Sequence, residues 1–363
     1  MTSGEGPVRV GVVGTGWRAG FFLRVADLLP DRFTTVGVVS RTASRGQEVS
    51  ARWGAPSYRT VSALLAAQRP ELVVVAVPWE VAPEVTVELA EAGVPVLTET
   101  PPAPDVPAMV RLWGRVGASG LVQVAEHSPF LPAHAARAGI VGSGLIGRVT
   151  SVQVSSTHRH HAAGLVRHLL GAGLEPVTVT ARRFVAPLVD PTSRAGLTLD
   201  PAPRPATTTL ALLDLGEGRS AVYDFTDNQW RNPLRGDRIL VRGSHGEIRD
   251  GRVTRWVEGV GPVDSTIVRR QNGVEQDLEG FDLDHLSLDG RVVHRNPYAG
   301  ARLSDDDQAV ATLLDRTGAW TRGHGEPPYP LAQGCQDHLI GLAVEEAATT
   351  GHAVTTTQQV WAR

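Results

Sequence analysis

Val8-Arg-Val-Gly-Val-Val-Gly-Thr-Gly-Trp-Arg-Ala-Gly20 is the stretch that decides the fold. Val8, Val10, Val12 and Val13 read as a short apolar strand. Gly14, Gly16 and Ala19 fill a G-x-G-x-x-A spacing, and Phe21, Phe22, Leu23, Val25 and Ala26 begin an apolar helical face. The first glycine permits a tight turn, and the second lets backbone N–H groups come close to a pyrophosphate. The small third residue lets helix and strand pack, with the helix N-terminus aimed at the anion. Strand, turn and helix arrive in the order that dinucleotide binding requires, so Gly14, Thr15, Gly16, Trp17 and Arg18 are candidate cofactor-binding residues.

From there to about residue 125 the grammar repeats. Strands are expected at Thr34–Ser40, Leu72–Pro78, Val94–Thr98 and Leu121–Ala125, with helices at Ala43–Trp53, Ser62–Gln68, Val81–Ala92 and Val106–Val116. Strands alternating with helices at this spacing make a parallel sheet covered on both faces, a doubly wound Rossmann domain over residues 1–125. After Gly147 the pattern changes. Val149–Ser155, Val177–Val185, Thr207–Leu215, Arg219–Phe225, Asp237–Arg242 and Glu247–Arg252 read as strands, with a helix at His161–Leu170 and a surface loop at Asp200–Pro205. Ser304 and Asp307 form a capping box for a helix carrying Val310, Leu313 and Leu314 inward, and a last helix is expected at Asp337–Ala348 with Asp337 as its cap. Residues 126–363 therefore predict an α+β domain built on one open sheet, whose last helices can pack back on the first domain.

At 363 residues the chain is long for one core, which agrees with two domains. A hydrophobic fraction of 42% and a net charge of −3 describe an ordinary soluble protein. Scattered basic residues argue against nucleic acid. The run Leu72–Trp79 is far short of the ~18–20 residues that span a bilayer. One cysteine, Cys335, excludes an internal disulfide, and Met1–Pro7 carries no secretory pattern; a cytoplasmic setting is expected. All 35 basic residues are arginine, so a lysine acid, base or Schiff base is excluded.

The end of the second strand is where a dinucleotide fold reads the adenosine ribose. A carboxylate there would accept from the ribose diol, but here Ser40, Arg41, Thr42 and Arg45 stand instead. A hydroxyl with two guanidiniums suits a 2′-phosphate, which favours NADP(H) over NAD(H).

The chain resembles the Gfo/Idh/MocA (glucose–fructose oxidoreductase/inositol dehydrogenase) family. The matching stretches are Gly11-Val-Val-Gly-Thr-Gly-Trp17, Ala76-Val-Pro78, Ala92-Gly-Val-Pro-Val-Leu-Thr-Glu99 with Thr100 and Pro101, Gly142-Ser-Gly-Leu-Ile-Gly147 and Arg242-Gly-Ser-His-Gly-Glu-Ile248. The resemblance covers nearly the whole chain in family order. It implies cofactor contacts at Val77, Pro78, Trp79, Glu99 and Pro101, and a homodimer or homotetramer joined through the second-domain sheet. Three departures stand out. Thr100 occupies the place of the lysine in the family's Glu-Lys-Pro turn, Ala82 replaces a histidine after the fourth strand, and Thr157 stands where an aspartate would precede His161. The first of these, with a shortened segment ahead of the helix, is also similar to the thiazolinyl imine reductase branch.

Reducing a C=O or C=N requires a proton as well as a hydride, and histidine is the usual donor near neutrality. His161 and His127 are the candidate acids, with Thr100 and Glu99 in the turn beside them. Glu126, His160, Asn228, Trp230 and Arg231 are candidate substrate contacts, although a polar helix start facing water is the simpler reading for His158 and His160. His168 reads as a core residue. No metal site is indicated. The expected function is an NADP(H)-dependent oxidoreductase acting on a small polar metabolite, a biosynthetic ketone or imine reductase. The alternatives are a sugar or cyclitol dehydrogenase, and a cofactor-binding lyase, cyclase or sensor without hydride chemistry.

Overall fold

The computed structural model describes residues 6–276 and 278–362, and the valine-rich segments of its first third lie side by side. Strands β1 (Val8–Val13), β2 (Phe33–Val39), β3 (Ser57–Tyr58), β4 (Leu72–Val75), β5 (Val96–Thr98) and β6 (Val122–Val124) form one parallel sheet in the order β3-β2-β1-β4-β5-β6. Helices α1 (Trp17–Leu28), α2 (Ala43–Trp53), α3 (Val61–Ala67), α4 (Ala82–Glu91) and α5 (Val106–Val116) connect them. All four residues of β4 are fully buried, which is why Leu-Val-Val-Val shows no alternation. The strand order reverses between β1 and β4, and the crevice beyond their carboxyl ends is the ligand position of such sheets.

The second half contains α6 (Pro132–Gly142), β7 (Val149–Ser155), α7 (Arg159–Leu170), β8 (Thr178–Leu188), a small hairpin β9 (Thr192–Ser193) and β10 (Gly196–Leu197), then β11 (Arg204–Asp214), β12 (Ser220–Thr226) and β13 (Arg238–Gly243). After these come β14 (Gly246–Arg249), β15 (Arg252–Val257), β16 (Gly261–Thr266), β17 (Val268–Asn272), β18 (Asp282–Leu288), β19 (Arg291–Arg295), α8 (Asp305–Thr321), α9 (Leu331–Thr350) and β20 (Val354–Thr355). Nine strands make a mixed sheet in the order β16-β15-β14-β13-β7-β12-β11-β8-β20, and β17-β18-β19 make a separate small one against α6. The fold is α/β in the first part and an open mixed sheet with helices in the second, as the sequence predicts.

Several expectations need correcting. Glu247–Arg252 is not one strand: Asp250 and Gly251 turn the chain between β14 and β15, so that Ile248 and Val253 pair and are both buried. Asp-Gly is a hairpin signal of the type that Asp289-Gly290 repeats between β18 and β19. Helix α9 begins at Leu331, so Asp337 is not a cap; it lies inside the helix, ion-paired with Arg167 of α7, each side chain 3% exposed. Arg167 therefore faces inward and His168 outward, the reverse of what their polarities suggest. The buried guanidinium is satisfied by Asp337, the Gln333 side chain and the Gly173 carbonyl, as a buried charge must be.

Two helices tie the halves together. In α8, Ser304 caps the first turn by accepting from the Asp307 N–H at 3.1 Å, and Val310, Leu313 and Leu314 pack in the core that holds Phe22 and Val25 of α1. In α9, Leu331, Cys335 and Leu339 belong to the core of the first sheet, while Ile340, Val344 and Ala347 belong to that of the second. A Cβ at Gly341 would stand 3.1 Å from the backbone nitrogen of His160, so this glycine lets α9 press against the start of α7.

Candidate active site

The β1–α1 turn is shaped for an anion. Gly14 has φ +121°, and a Cβ there would lie 2.2 Å from the Ala76 carbonyl oxygen, so only glycine suits the position. Gly16 caps α1 without any side-chain hydrogen bond, the first turn carries no acidic residue, and a Cβ at Gly16 would meet open space. The exposed first-turn amides are thus available to a pyrophosphate. Ala19 is fully buried, which brings α1 onto the sheet. A groove of about 430 Å³ between α1 and α2 places Thr15, Gly16 and Trp17 beside Arg45.

At the end of β2, Ser40 is buried and its hydroxyl donates to the Thr42 carbonyl at 3.0 Å, while Thr42 precedes α2. Arg41 is exposed, and Arg45 pairs with Glu48 at 2.8 Å. The guanidinium of Arg59, which follows β3, donates to the Arg41 carbonyl and adds a second unneutralised cation to this corner. Beyond β4, Val77 is half-buried and Pro78 and Trp79 are exposed on the carboxyl edge of the sheet.

The carboxyl ends of β5 and β6 hold the titratable groups. Glu99 accepts from Arg18 Nε at 2.6 Å and from the Thr100 amide at 3.3 Å; Pro101 behind them is buried. A second nitrogen of Arg18 lies 3.0 Å from His127 Nδ1, and His127 Nε2 lies 2.9 Å from an Asp306 carboxylate oxygen. A guanidinium can only donate, so His127 Nδ1 accepts and its Nε2–H donates to Asp306. Both nitrogens of His127 are thereby engaged. His161 is arranged differently. Its Nδ1 lies 2.5 Å from Glu126 Oε2, and the other Glu126 oxygen accepts from the Ser128 amide at 2.9 Å. His161 Nε2 has no hydrogen-bond partner among the described residues.

The electrostatics single out the same imidazole. Burial works against a charge on His161, but the Glu126 carboxylate and its hydrogen bond outweigh it and raise the pKa above the ordinary value. Burial would push Glu126 up, yet the charge and hydrogen bond of His161 hold it well below the carboxylate range. His160 is pushed well below the histidine range by burial and by the charge on His161, and His158 is pushed down to about 4 for the same two reasons. Of the three, only His161 is shifted toward its charged form.

The expected substrate contacts divide. Glu126 is spent on His161 and Ser128. His160 and His158 do not face water as a polar helix start would: His160 is 7% exposed and both its ring nitrogens are sealed without a partner. Arg159 between them has φ 46°, a left-handed conformation at the head of α7 that sets the direction of His160 and His161. Asn228 is tied to Asp190 at 2.8 Å and to Arg231 at 3.1 Å. Trp230 and Arg231 are exposed near His158. The β9–β10 hairpin is anchored here through Thr192, which donates to the Arg231 carbonyl, and it extends to Arg194, whose guanidinium lies 4.7 Å over the Trp17 ring. A segment of the second half thus bridges from the Trp230 loop to the glycine turn. No group of three or more His, Cys, Asp or Glu among the described residues is placed to hold a metal.

Residues 8–126 match the model of the oxidoreductase family with an NAD-binding Rossmann fold, Gfo/Idh/MocA. Through this domain the chain carries the NAD-binding Rossmann fold of the Gfo/Idh/MocA oxidoreductases. It is a pyridine-nucleotide-binding oxidoreductase. No curated protein matches the sequence. Solved structures share the fold along nearly their full length. An oxidoreductase from Agrobacterium radiobacter, in complex with NAD+, L-tartaric acid and magnesium, is 17% identical with TM-score 0.69, covering 96% of this chain and 98% of that one. The WlbA dehydrogenase from Bordetella pertussis, bound to NADH and UDP-GlcNAcA, is 18% identical with TM-score 0.67, covering 98% and 99%. A myo-inositol dehydrogenase from Corynebacterium glutamicum is 16% identical with TM-score 0.66, covering 97% and 100%.

Four groups in the site of this oxidoreductase escaped the sequence reading. Asp306 comes from α8, 179 positions from the histidine it holds. Arg59, Arg194 and Phe225 arrive from the ends of three other elements. Only the acidic run Asp305-Asp306-Asp307 carried a local signal, and a helix N-terminus accounts for such a run on its own.

Proposed function

We propose that this oxidoreductase uses NADP(H) to reduce a C=O or C=N of a small metabolite, with His161 as the proton donor. The observation that carries the reading is the Glu126–His161 pair at 2.5 Å, on the carboxyl edge of the Rossmann sheet, with His161 Nε2 left free. Residues 1–125 serve the cofactor and 126–363 the substrate and assembly. The first-turn amides of α1 would hold the diphosphate, and Arg41 with Arg59 the 2′-phosphate. Val77, Pro78, Trp79, Glu99 and Pro101 would line the path of the cofactor. Bound nicotinamide supplies hydride in the reducing direction.

The residues of the chain account for the proton. The Nε2 proton of His161 is given to the developing alkoxide or to the imine nitrogen, while Nδ1–H keeps donating to the Glu126 carboxylate. The carboxylate fixes the tautomer and stabilises the cation before transfer. Thr100, in a turn without lysine, can donate a hydrogen bond from its hydroxyl but does not act as the acid. Arg18 positions Glu99 and His127 and supplies the positive charge of the turn. His127, with both nitrogens engaged, is a positioning residue. The missing lysine favours a biosynthetic ketone or imine reductase over oxidation of a polyol.

The test is NADPH absorbance across a panel of ketones and imines. Consumption with at least one, lost in His161→Asn with NADPH binding retained, is the expected result. Tight NADPH binding with none consumed would favour the non-redox reading, and full turnover in His161→Asn would remove His161 as the acid. We also propose assembly as a homodimer or homotetramer through the uncovered face of the nine-stranded sheet, where Leu210 and Leu212 are exposed by 42% and 62%. A cytoplasmic setting accords with the single, buried thiol of Cys335. No described helix is long and apolar enough to cross a membrane.

A further inference from the structure

A row of aromatic rings leads away from His161. The ring of His158 lies 5.1 Å from that of His161 and 5.2 Å from that of Trp230, centroid to centroid. Trp230 is parallel to Phe225 within 7° at 5.7 Å, and Phe225 is stacked in turn on Tyr223 at 6.4 Å. Tyr223 and Phe225 are buried on the inward face of β12, whereas Trp230 is 51% exposed. An indole backed by a buried ring and half exposed is a platform rather than a core residue.

The platform is rigid. Asn228 sits in a left-handed conformation at φ 61°, and Gln229, buried, accepts from the Thr226 amide at 3.0 Å and donates to the Ser155 carbonyl at 2.5 Å. Asn232 donates to the Val189 carbonyl at 2.9 Å and accepts from the Leu234 amide at 2.9 Å. These bonds fix the loop on both sides of Trp230, so little backbone freedom is lost when a ligand lies on the indole. They also turn the amides of Gln229 and Asn232 inward, where both are buried, and engage one donor and one acceptor of Asn228. A polyol seated here would give up more hydrogen bonds to water than this wall returns, which is costly. A flat apolar ring loses nothing by it. At the rim the Arg231 guanidinium lies 5.7 Å from the Trp230 centroid and has no carboxylate partner among the described residues.

We propose that Trp230, Phe225 and His158 form a stacking subsite for a planar conjugated ring attached to the carbon that exchanges hydride, so that the substrate is an aromatic or heteroaromatic carbonyl or imine. This rests on the hydride-transfer reading above and names its substrate class. Trp230 is the specificity-determining residue, and Arg231 favours a negative charge on the ring.

The experiment is isothermal titration of the NADP+-loaded protein with 2-naphthoate and with its fully saturated decahydro counterpart. The two share carboxylate and skeleton and differ in flatness. Stacking should make 2-naphthoate bind about 2- to 10-fold more tightly. Trp230→Leu should erase the difference and Trp230→Phe should keep most of it. Equal affinity in the wild type, no binding of either probe, or a preference that survives Trp230→Leu would overturn the proposal. Failure of the parent reading is separate: a protein that prefers the flat probe yet consumes NADPH with no carbonyl or imine refutes hydride transfer, not the subsite.

Discussion

Replacing Glu126 by Gln removes the charge beside His161 while keeping the shape of the pair. Two histidines without a carboxylate hydrogen bond show the direction that burial and neighbouring cations impose: His158, half-buried beside His161 and Arg159, falls to about 4, and His134, buried beside Arg137, to about 3. His161 stands above the ordinary 6.5 because Glu126 outweighs its burial. Without that carboxylate, burial and the Arg18 charge pull the imidazole below its ordinary value; losing an opposite charge at this range is worth about 1–3 units, or ~1.4–4 kcal/mol at 1.36 kcal/mol per unit. At pH 7 the protonated fraction would fall by up to about tenfold per unit lost, and turnover with any substrate needing that proton would fall with it. Proton–carbon NMR of the histidine Cε1 positions, with His161 assigned by His161→Asn, reads the change without a known substrate. A His161 midpoint in Glu126→Gln within about half a unit of the wild type would refute the pairing argument.

Further predictions follow from other parts of the structure. The pair also makes stability depend on pH. His161, raised, contributes fully below about pH 6.5 and loses its contribution as pH rises through its folded pKa; Glu126, depressed, contributes fully above about pH 4.5 and loses it on acidification. The Tm gap between wild type and Glu126→Gln should therefore be widest near pH 5–6 and shrink toward pH 9 in thermal unfolding. Arg167→Met strands Asp337 in the interior and should cost about 3–5 kcal/mol in denaturant unfolding, whereas His168→Ala, one position on but exposed, should stay within about 0.5 kcal/mol. Arg41→Ala should weaken NADPH about 10- to 100-fold by fluorescence titration, the worth of a charged hydrogen bond, and leave NADH nearly unchanged; equal losses for both nucleotides would place Arg41 elsewhere on the cofactor.

The Rossmann half was legible because its central strands are buried on both faces and end at recognisable turns, whereas β3, two residues long and not buried, gave no signal. The helices Ala43–Trp53 and Val106–Val116 fall within the predicted bounds. The region after Arg252 was not, because its strands are short and half-exposed. All five residues of β17 face solvent, so neither alternation nor an apolar run marks it. The Asp-Gly pairs at 250–251 and 289–290 were the available signal. In the site, His161 and Glu126 were each identified, but as acid and substrate contact rather than as partners. Their pairing spans 35 positions and is made by packing α7 against the end of β6. Likewise Arg18 carries the spacing of a cofactor residue, and only the fold shows that it joins Glu99 to His127. The inward turn of Arg167 is invisible to hydrophobicity, since its acceptors come from α9 and a loop.

Calorimetric titration with NADPH and NADH probes the founding claim most directly, that the first hundred-odd residues fold around a pyridine nucleotide and read its 2′-phosphate. The expected result is one NADPH bound per chain, at least about tenfold tighter than NADH, with binding lost in Gly14→Val because a side chain there meets the Ala76 carbonyl. Indifference to both nucleotides, in reduced and oxidised forms, would contradict it.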